Sequence, residues 1–201
     1  MPTPKLHFSR AEFDARIAKT RQQMQQRGID LLIVSDPSNM NWLTGYDGWS
    51  FYVHQCVILP LEGEPFWFGR GQDANGALRT CFMQPQKIIG YPDHYVQSTE
   101  RHPMDYLSAQ LSDRKLDKGI IGVEMDNYWF SAAAYGALKT HLPNASFQDA
   151  TALVNWQRAV KSEAELTLMR QAGKIVGRMH ERIVEKVEVG MRKCDLVADI
   201  Y

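Results

Sequence analysis

The sequence predicts a mixed α/β layer structure on three observations. Stretches with helical apolar spacing alternate with short branched apolar runs, the order that builds a sheet flanked by helices. Glycine, proline and aspartate punctuate the junctions. The 201 residues, 44% of them hydrophobic, suffice for one α/β domain with a sizeable core and a short extra piece.

The first helix is marked by Phe8-Ser9-Arg10-Ala11-Glu12-Phe13, a capping box with a hydrophobic staple. Ser9 accepts from the Glu12 N–H, Glu12 reaches back to the cap, and Phe8 meets Phe13. Phe13, Ile17 and Met24 continue at helical spacing until Gly28 stops the helix. Ile29 to Val34 is a buried strand by length and branching. Pro37 to Leu43 forms one or two helical turns ending at Gly45. A strand from about Phe51 to Leu59, a turn at Glu62-Gly63-Glu64 and a strand at Phe66-Trp67-Phe68 make a hairpin.

Gly71 to Cys81 is a helix and Lys87 to Tyr91 a short strand. Pro103 to Arg114 is a helix through Met104, Leu107 and Leu111. Gly119 to Glu124 is a strand, Ser131 to Leu142 a helix, and Ala145 to Phe147 an edge strand. The character changes near residue 160. Ser162-Glu163-Ala164-Glu165 is a second capping box. The helix it opens runs to about Val187, with Leu166, Met169, Ala172, Val176, Met179, Ile183 and Val187 on one side. Gly190 breaks it, and Arg192 to Tyr201 starts another. A long amphipathic helix needs a surface to bury its stripe, so residues from about 160 are expected to begin a second, incomplete domain.

Charge and motif content exclude several classes. Lysine plus arginine equals aspartate plus glutamate, 23 each, with no basic stripe, so neither nucleic acid nor a membrane is expected as a partner. Three widely spaced cysteines without a CxxC pair argue against a disulfide framework or zinc knuckle and fit a cytoplasmic protein. No run of about 18 apolar residues and no signal-peptide core occurs. HExxH, GxSxG, P-loop and GxGxxG patterns are absent. Glu124 and Asp126 lie together near a strand end, a weak pointer to a metal.

Three clusters could carry chemistry. In the segment Asn39 to Gln55, an extended Trp49 to Val57 puts Ser50, Tyr52 and His54 on one face and Trp49, Phe51 and Val53 on the other. That pattern fits a pocket-bordering strand and equally a half-buried edge strand. Phe68 to Asn75 sits where a strand hands over to a helix, so Arg70, Gln72 and Asp73 stand at the sheet end where α/β proteins bind ligands. A guanidinium there can hold a carboxylate; ordinary helix capping by Asp73 is the competing reading. Tyr91-Pro92-Asp93-His94-Tyr95 reads as a surface turn. His102 and His141 read as lone surface histidines, and His180 as packed or interfacial.

These residues resemble a known family. The strand at Ile29 followed by SDPSNMNWLTG resembles the amino-terminal domain of creatinase, prolidase and Xaa-Pro aminopeptidase relatives. Arg158-Ala159-Val160-Lys161-Ser162-Glu163-Ala164-Glu165 resembles the motif that opens their pita-bread catalytic domain. Trp42 to Gln55, Phe68 to Ala77 and Gly90 to Tyr95 most resemble the ectoine hydrolases within it.

The resemblance implies a creatinase-type amino-terminal domain over residues 1–160, a mixed sheet flanked by helices in a ribonuclease H-like arrangement. Residues 161–201 would begin a pita-bread domain cut short before the catalytic positions. It implies a homodimer in which this domain caps the partner's site. It further implies a hydrolase that opens the cyclic amidine of ectoine to N-acetyl-diaminobutyrate, the present residues alone being inactive. Substrate contacts would fall on Trp49, Tyr52, His54, Arg70, Gln72 and Asp73, with the aromatics on the amidinium and Arg70 or His54 on the carboxylate. No cofactor is expected in these residues, and a divalent metal in the remainder stays open. The alternatives are an Xaa-Pro dipeptidase or aminopeptidase and a non-catalytic binding or dimerisation module.

Overall fold

The computed structural model describes residue 4 and residues 6–200. It divides into two compact units, meeting between Ala159 and Val160. The first is a six-stranded mixed sheet with helices on both faces. In chain order it comprises α1 (Arg10–Arg27), β1 (Leu31–Val34), α2 (Pro37–Thr44), β2 (Cys56–Pro60), β3 (Phe66–Arg70) and α3 (Ala74–Thr80). Then follow β4 (Ile88–Tyr91), α4 (Pro103–Asp113), β5 (Gly119–Val123), α5 (Ala132–His141), β6 (Ala145–Asp149) and α6 (Leu153–Ala159). The strand order is β4-β3-β2-β1-β5-β6. β2 runs antiparallel to β1 and β3, whereas β3/β4, β1/β5 and β5/β6 are parallel.

Strand alternation divides the core into two layers. Leu32, Val34, Val57, Leu59 and Trp67 pack with Ile17, Met24, Met40 and Leu43 from α1 and α2. Leu31, Ile33, Ile58, Phe66 and Phe68 pack with Leu107 and Leu111 of α4 and Leu138 of α5. β1 is buried along its whole length because helices cover both faces. Gly28 and Gly45 close α1 and α2 in left-handed conformations, with φ of 68° and 81°. At the start of α1, Ser9 accepts from Glu12 N as expected. The Glu12 carboxylate, however, takes Arg16 Nε at 3.2 Å instead of returning to the cap.

One further local expectation fails, and one element is new. The strand expected from Phe51 begins only at Cys56, and residues 47–55 form a loop. Ser50 Oγ accepts from Val53 N at 3.1 Å, which turns the chain and removes it from the ladder. Helix α6, at Leu153–Ala159, was not anticipated.

The second unit contains α7 (Glu163–Lys186) and α8 (Lys193–Ile200). Ser162 and Glu165 form the expected reciprocal cap. Neither helix has a buried residue. His180 is exposed rather than packed. Among the described residues no helix is long and apolar enough to cross a membrane.

Candidate functional site

Topology gathers the site at one end of the sheet. β3 and β4 are parallel with Arg70 opposite Tyr91, so both deliver their carboxyl ends to the same edge. β2 runs the other way, so its entry residues, His54 and Gln55, arrive there too. Arg70, Asp73 and Asp93 follow as the chain leaves β3 and β4.

Arg70 is held by Asp93. Its Nε donates to Asp93 Oδ1 at 2.8 Å and its Nη2 to Asp93 Oδ2 at 3.1 Å, a bidentate pair. The pair raises the guanidinium above its ordinary range and lowers the Asp93 carboxyl. Asp93 was expected only as part of a surface turn. The signal that could have found it is register: it lies two residues beyond Tyr91, directly opposite Arg70.

Asp73 does not cap α3, although it occupies the N-cap position. Its Oδ2 instead accepts from Gln55 Nε2 at 2.8 Å. Gln55, itself buried, accepts through Oε1 from Tyr46 Oη at 2.9 Å. Burial, then the nearby Asp73 carboxylate, pushes the Tyr46 phenol up, so it stays a donor. A second buried phenol, Tyr91, donates to the His54 carbonyl at 3.1 Å. Two adjacent residues are thus pinned by two tyrosines. Val53 is buried, while three aromatics of the loop project outward, with Trp49 63%, Phe51 85% and Tyr52 62% exposed. Trp49 and Phe51 meet edge to face at 6.4 Å. Because this segment is a loop, the expected shared face of Ser50, Tyr52 and His54 does not form. Gln72 lies exposed on the turn before α3, its carbonyl taking Asn75 Nδ2 at 3.1 Å.

His54 and His102 lie 4.7 Å apart between ring centroids. His102 is therefore no lone surface histidine: it caps α4 by accepting from Met104 N at 3.1 Å. His141, for its part, faces Asp105 at 3.3 Å. Burial first, then His102, lowers the His54 pKa to about 4 from the ordinary 6.5. His54 is consequently a neutral imidazole at neutral pH, so charge for an anion at this sheet end comes from guanidinium groups, Arg70 and the cavity-lining Arg101. A cavity of about 130 Å³ opens beside the pair, lined by Tyr52, His54, Tyr91, Tyr95, Arg101 and His102 among others.

Beyond the carboxyl ends of β1 and β5 lies a buried polar knot. Glu124 accepts from Ser35 N at 2.6 Å, Asp36 N at 2.8 Å and Asn39 Nδ2 at 2.6 Å. Asn39 also binds Asn155 Oδ1 and receives Arg158. Glu124 is committed to these donors, and Asp126 is exposed. Among the described residues no group of three His, Cys, Asp or Glu is placed to hold a metal ion. Cys56 and Cys81 are buried thiols and Cys194 an exposed one.

The fold, the Asn39 helix and the knot at Arg158 define a recognised class. Residues 16–160 match the creatinase/prolidase N-terminal domain, and the chain belongs to that family. It is 60% identical over 197 residues, 98% of its length, to the ectoine hydrolase of Halomonas elongata, covering 49% of that protein. It is 43% identical over 98% of its length to an uncharacterized hydrolase/peptidase of Sinorhizobium fredii, covering 50% of it. The chain therefore spans about half the length of the curated relatives it matches. The prolidase of Thermococcus sibiricus superposes with a TM-score of 0.71 at 16% identity, over 94% of this chain and 48% of that one. The dipeptidase of Pyrococcus horikoshii gives 0.68 at 20%, over 92% and 48%. These neighbours confirm a mixed sheet flanked by helices.

Proposed function

We propose that this chain is the amino-terminal, substrate-enclosing and dimerising part of a hydrolase that opens the cyclic amidine of ectoine. The geometric observation that carries the reading is the arrival of Arg70 and Asp73, each held by a different partner, at one sheet end together with a loop whose Trp49, Phe51 and Tyr52 are exposed. A small zwitterion with a flat cation needs those three things: a cation for its carboxylate, an anion for its amidinium, and an aromatic face. Similarity to the Halomonas elongata enzyme supports ectoine as the zwitterion. Asp93 occupies Nε and Nη2 of Arg70, so Nη1 is the edge assigned to the substrate carboxylate. Trp49 or Tyr52 would cover the amidinium, and loop closure would exclude bulk water. The acid and base of the reaction are assigned to sequence that the relatives carry outside the matched half, with a second copy of the chain completing the site.

The test uses the gene product read to its own stop codon. Ectoine and Xaa-Pro dipeptides are assayed in parallel, with and without a chelator, and mass is measured in solution. Ectoine turnover by a dimer is expected, with none from residues 1–201 alone. Turnover of the dipeptides and not of ectoine would overturn the substrate, and turnover by the 201 residues would overturn the division of labour.

A further inference from the structure

We propose that Gln55 is a positioning residue that aims the Asp73 carboxylate at the cationic group of the substrate. The inference rests on the reading of this sheet end as the substrate-enclosing face and adds how its anion is set.

The argument starts from hydrogen-bond polarity. An amide has one accepting and one donating end, and its orientation follows from its partners. Tyr46 is held as a phenol, and its Oη donates to Gln55 Oε1 at 2.9 Å. The Nε2 end must then face Asp73, where it donates at 2.8 Å. The opposite orientation would set the amide oxygen against a carboxylate. Tyr46 therefore fixes Gln55, and Gln55 fixes Asp73 Oδ2.

Two further observations show that the arrangement serves Asp73 rather than the helix. An aspartate at an N-cap is worth about 1 kcal/mol when its side chain takes a helix N–H. Asp73 forgoes that bond and turns to Gln55. Gly48 makes room for the phenol, since a Cβ there would come within 2.8 Å of Tyr46 Oη. The second carboxylate oxygen, Oδ1, is left for an incoming donor. Tyr46, Arg70 and Tyr91 are the titratable groups that sense the Asp73 charge. The Arg70 Nε and Nη2 hydrogen bonds go to Asp93 and not to Asp73, so the Asp73 carboxylate keeps an oxygen for a substrate cation.

The experiment compares Gln55→Leu, Gln55→Glu and Tyr46→Phe with wild type in the gene product, using whichever of ectoine and an Xaa-Pro dipeptide it hydrolyses. Gln55→Leu is expected to raise KM about ten- to hundredfold with kcat little changed, the loss of one hydrogen bond to a charged group. Gln55→Glu keeps the acceptor for Tyr46 but sets two carboxyls together. Its KM is expected to be high near pH 8 and to recover toward wild type near about pH 5, where the introduced carboxyl and Asp73 share one proton. A residue that only holds the loop would move kcat together with KM across this pH range, whereas the change is expected in KM alone. Tyr46→Phe keeps the ring on Trp67, 5.3 Å away, and is expected to raise KM less than Gln55→Leu.

An unchanged KM in Gln55→Leu, or a Gln55→Glu profile parallel to wild type at every pH, overturns the positioning role while leaving the substrate assignment intact. Failure of wild type on ectoine with turnover of the dipeptide overturns the substrate, and the same KM ratios still decide the role of Gln55. Turnover of neither overturns both.

Discussion

Arg158 Nη1 donates to Asn39 Oδ1 at 2.7 Å, joining positions 119 residues apart. Each belongs to one of the two segments that resemble family motifs, and each is explained by the other. Asn39 is fully buried. Its Nδ2 serves Glu124 and Asn155, so its oxygen can only face a donor, and Arg158 is that donor. Removing the amide would strand the Arg158 and Glu124 ends together. Asn39→Ala is expected to cost about 3 kcal/mol. Asn155→Ala, which loses one partner at a more exposed position, is expected to cost under about 1 kcal/mol. Urea denaturation of both variants checks the order.

Glu124 makes stability depend on pH in an unusual direction. Burial raises its pKa above the ordinary carboxylate value, although three N–H donors pull the other way. A folded state with the higher pKa binds the proton more tightly than the unfolded chain. This contribution is present at low pH and lost as pH rises through the shifted value. Glu124→Gln removes the titration, at a cost of about 1–3 kcal/mol for the amide hydrogens it sets against Asn39. Subtracting the variant's stability curve from the wild-type curve should leave a component that falls with rising pH. A difference independent of pH would refute it.

His54 acts with the opposite sign. The unfolded imidazole titrates near the ordinary 6.5 and the folded one near about 4. Between these values the unfolded chain holds more protons, so acidification favours unfolding. The contribution is complete above about 6.5 and lost as pH falls toward 4, on the order of 2–3 kcal/mol. The groups around the pair are Tyr52, Tyr91, Tyr95, Arg101 and Asp105, with His141 on the far side of Asp105. His54→Phe is expected to flatten the acid limb of the denaturation midpoint. An unchanged limb would exclude His54 as its source.

Most of the scaffold was legible because period and punctuation are local. The β1 run, the Gly28 and Gly45 stops, the hairpin at Gly63 and the cap at Ser162 each need only a few neighbouring residues. The loop 47–55 was not legible, because alternation of polar and apolar residues also fits a strand. What decides against a strand is the Ser50 turn and the distant phenols of Tyr46 and Tyr91. Arg70 and Asp73 were legible as residues at a sheet end, but their partners were not. Asp93 reaches Arg70 through the parallel β3/β4 register and Gln55 reaches Asp73 through the antiparallel β2/β3 pair. His102 was misread for the same reason: its companion, His54, lies on another element.

Gly90 keeps β4 close to the turn that follows β3. A Cβ there would come within 2.7 Å of Gly71 Cα, and both sides of that contact are backbone. Gly71 N also donates to Tyr91 O at 2.9 Å, so the two chains cannot separate freely. Gly90→Ala is expected to cost about 1–3 kcal/mol by overpacking and to pull Asp93 away from Arg70. Gly76 is the control: it lies in α3 with nothing within 4 Å of its Cβ position. Gly76→Ala is expected to be neutral or to stabilise by about 0.4–1 kcal/mol. Equal midpoints for the two variants would contradict the close approach.

Tyr52 and Arg70 separate recognition from folding most cleanly. Tyr52 is 62% exposed, so its removal opens no hole in the core. Among the described residues Arg70 pairs with Asp93 alone, whose side chain is largely exposed. Surface ion pairs contribute little to stability. Tyr52→Ala and Arg70→Ala should therefore leave the denaturation midpoint where it is. Their effect belongs in the kinetics of the gene product. Tyr52→Ala removes a face for the amidinium, worth about 0.5–2 kcal/mol, or roughly two- to thirtyfold in kcat/KM. Arg70→Ala removes the cation assigned to the carboxylate. It should fail to discriminate ectoine from an analogue lacking that carboxylate, whereas Tyr52→Ala keeps the discrimination. Wild-type kinetics in both variants would take the sheet end out of the site. A lost carboxylate preference in Tyr52→Ala alone would shift the anion contact from Arg70 to the loop.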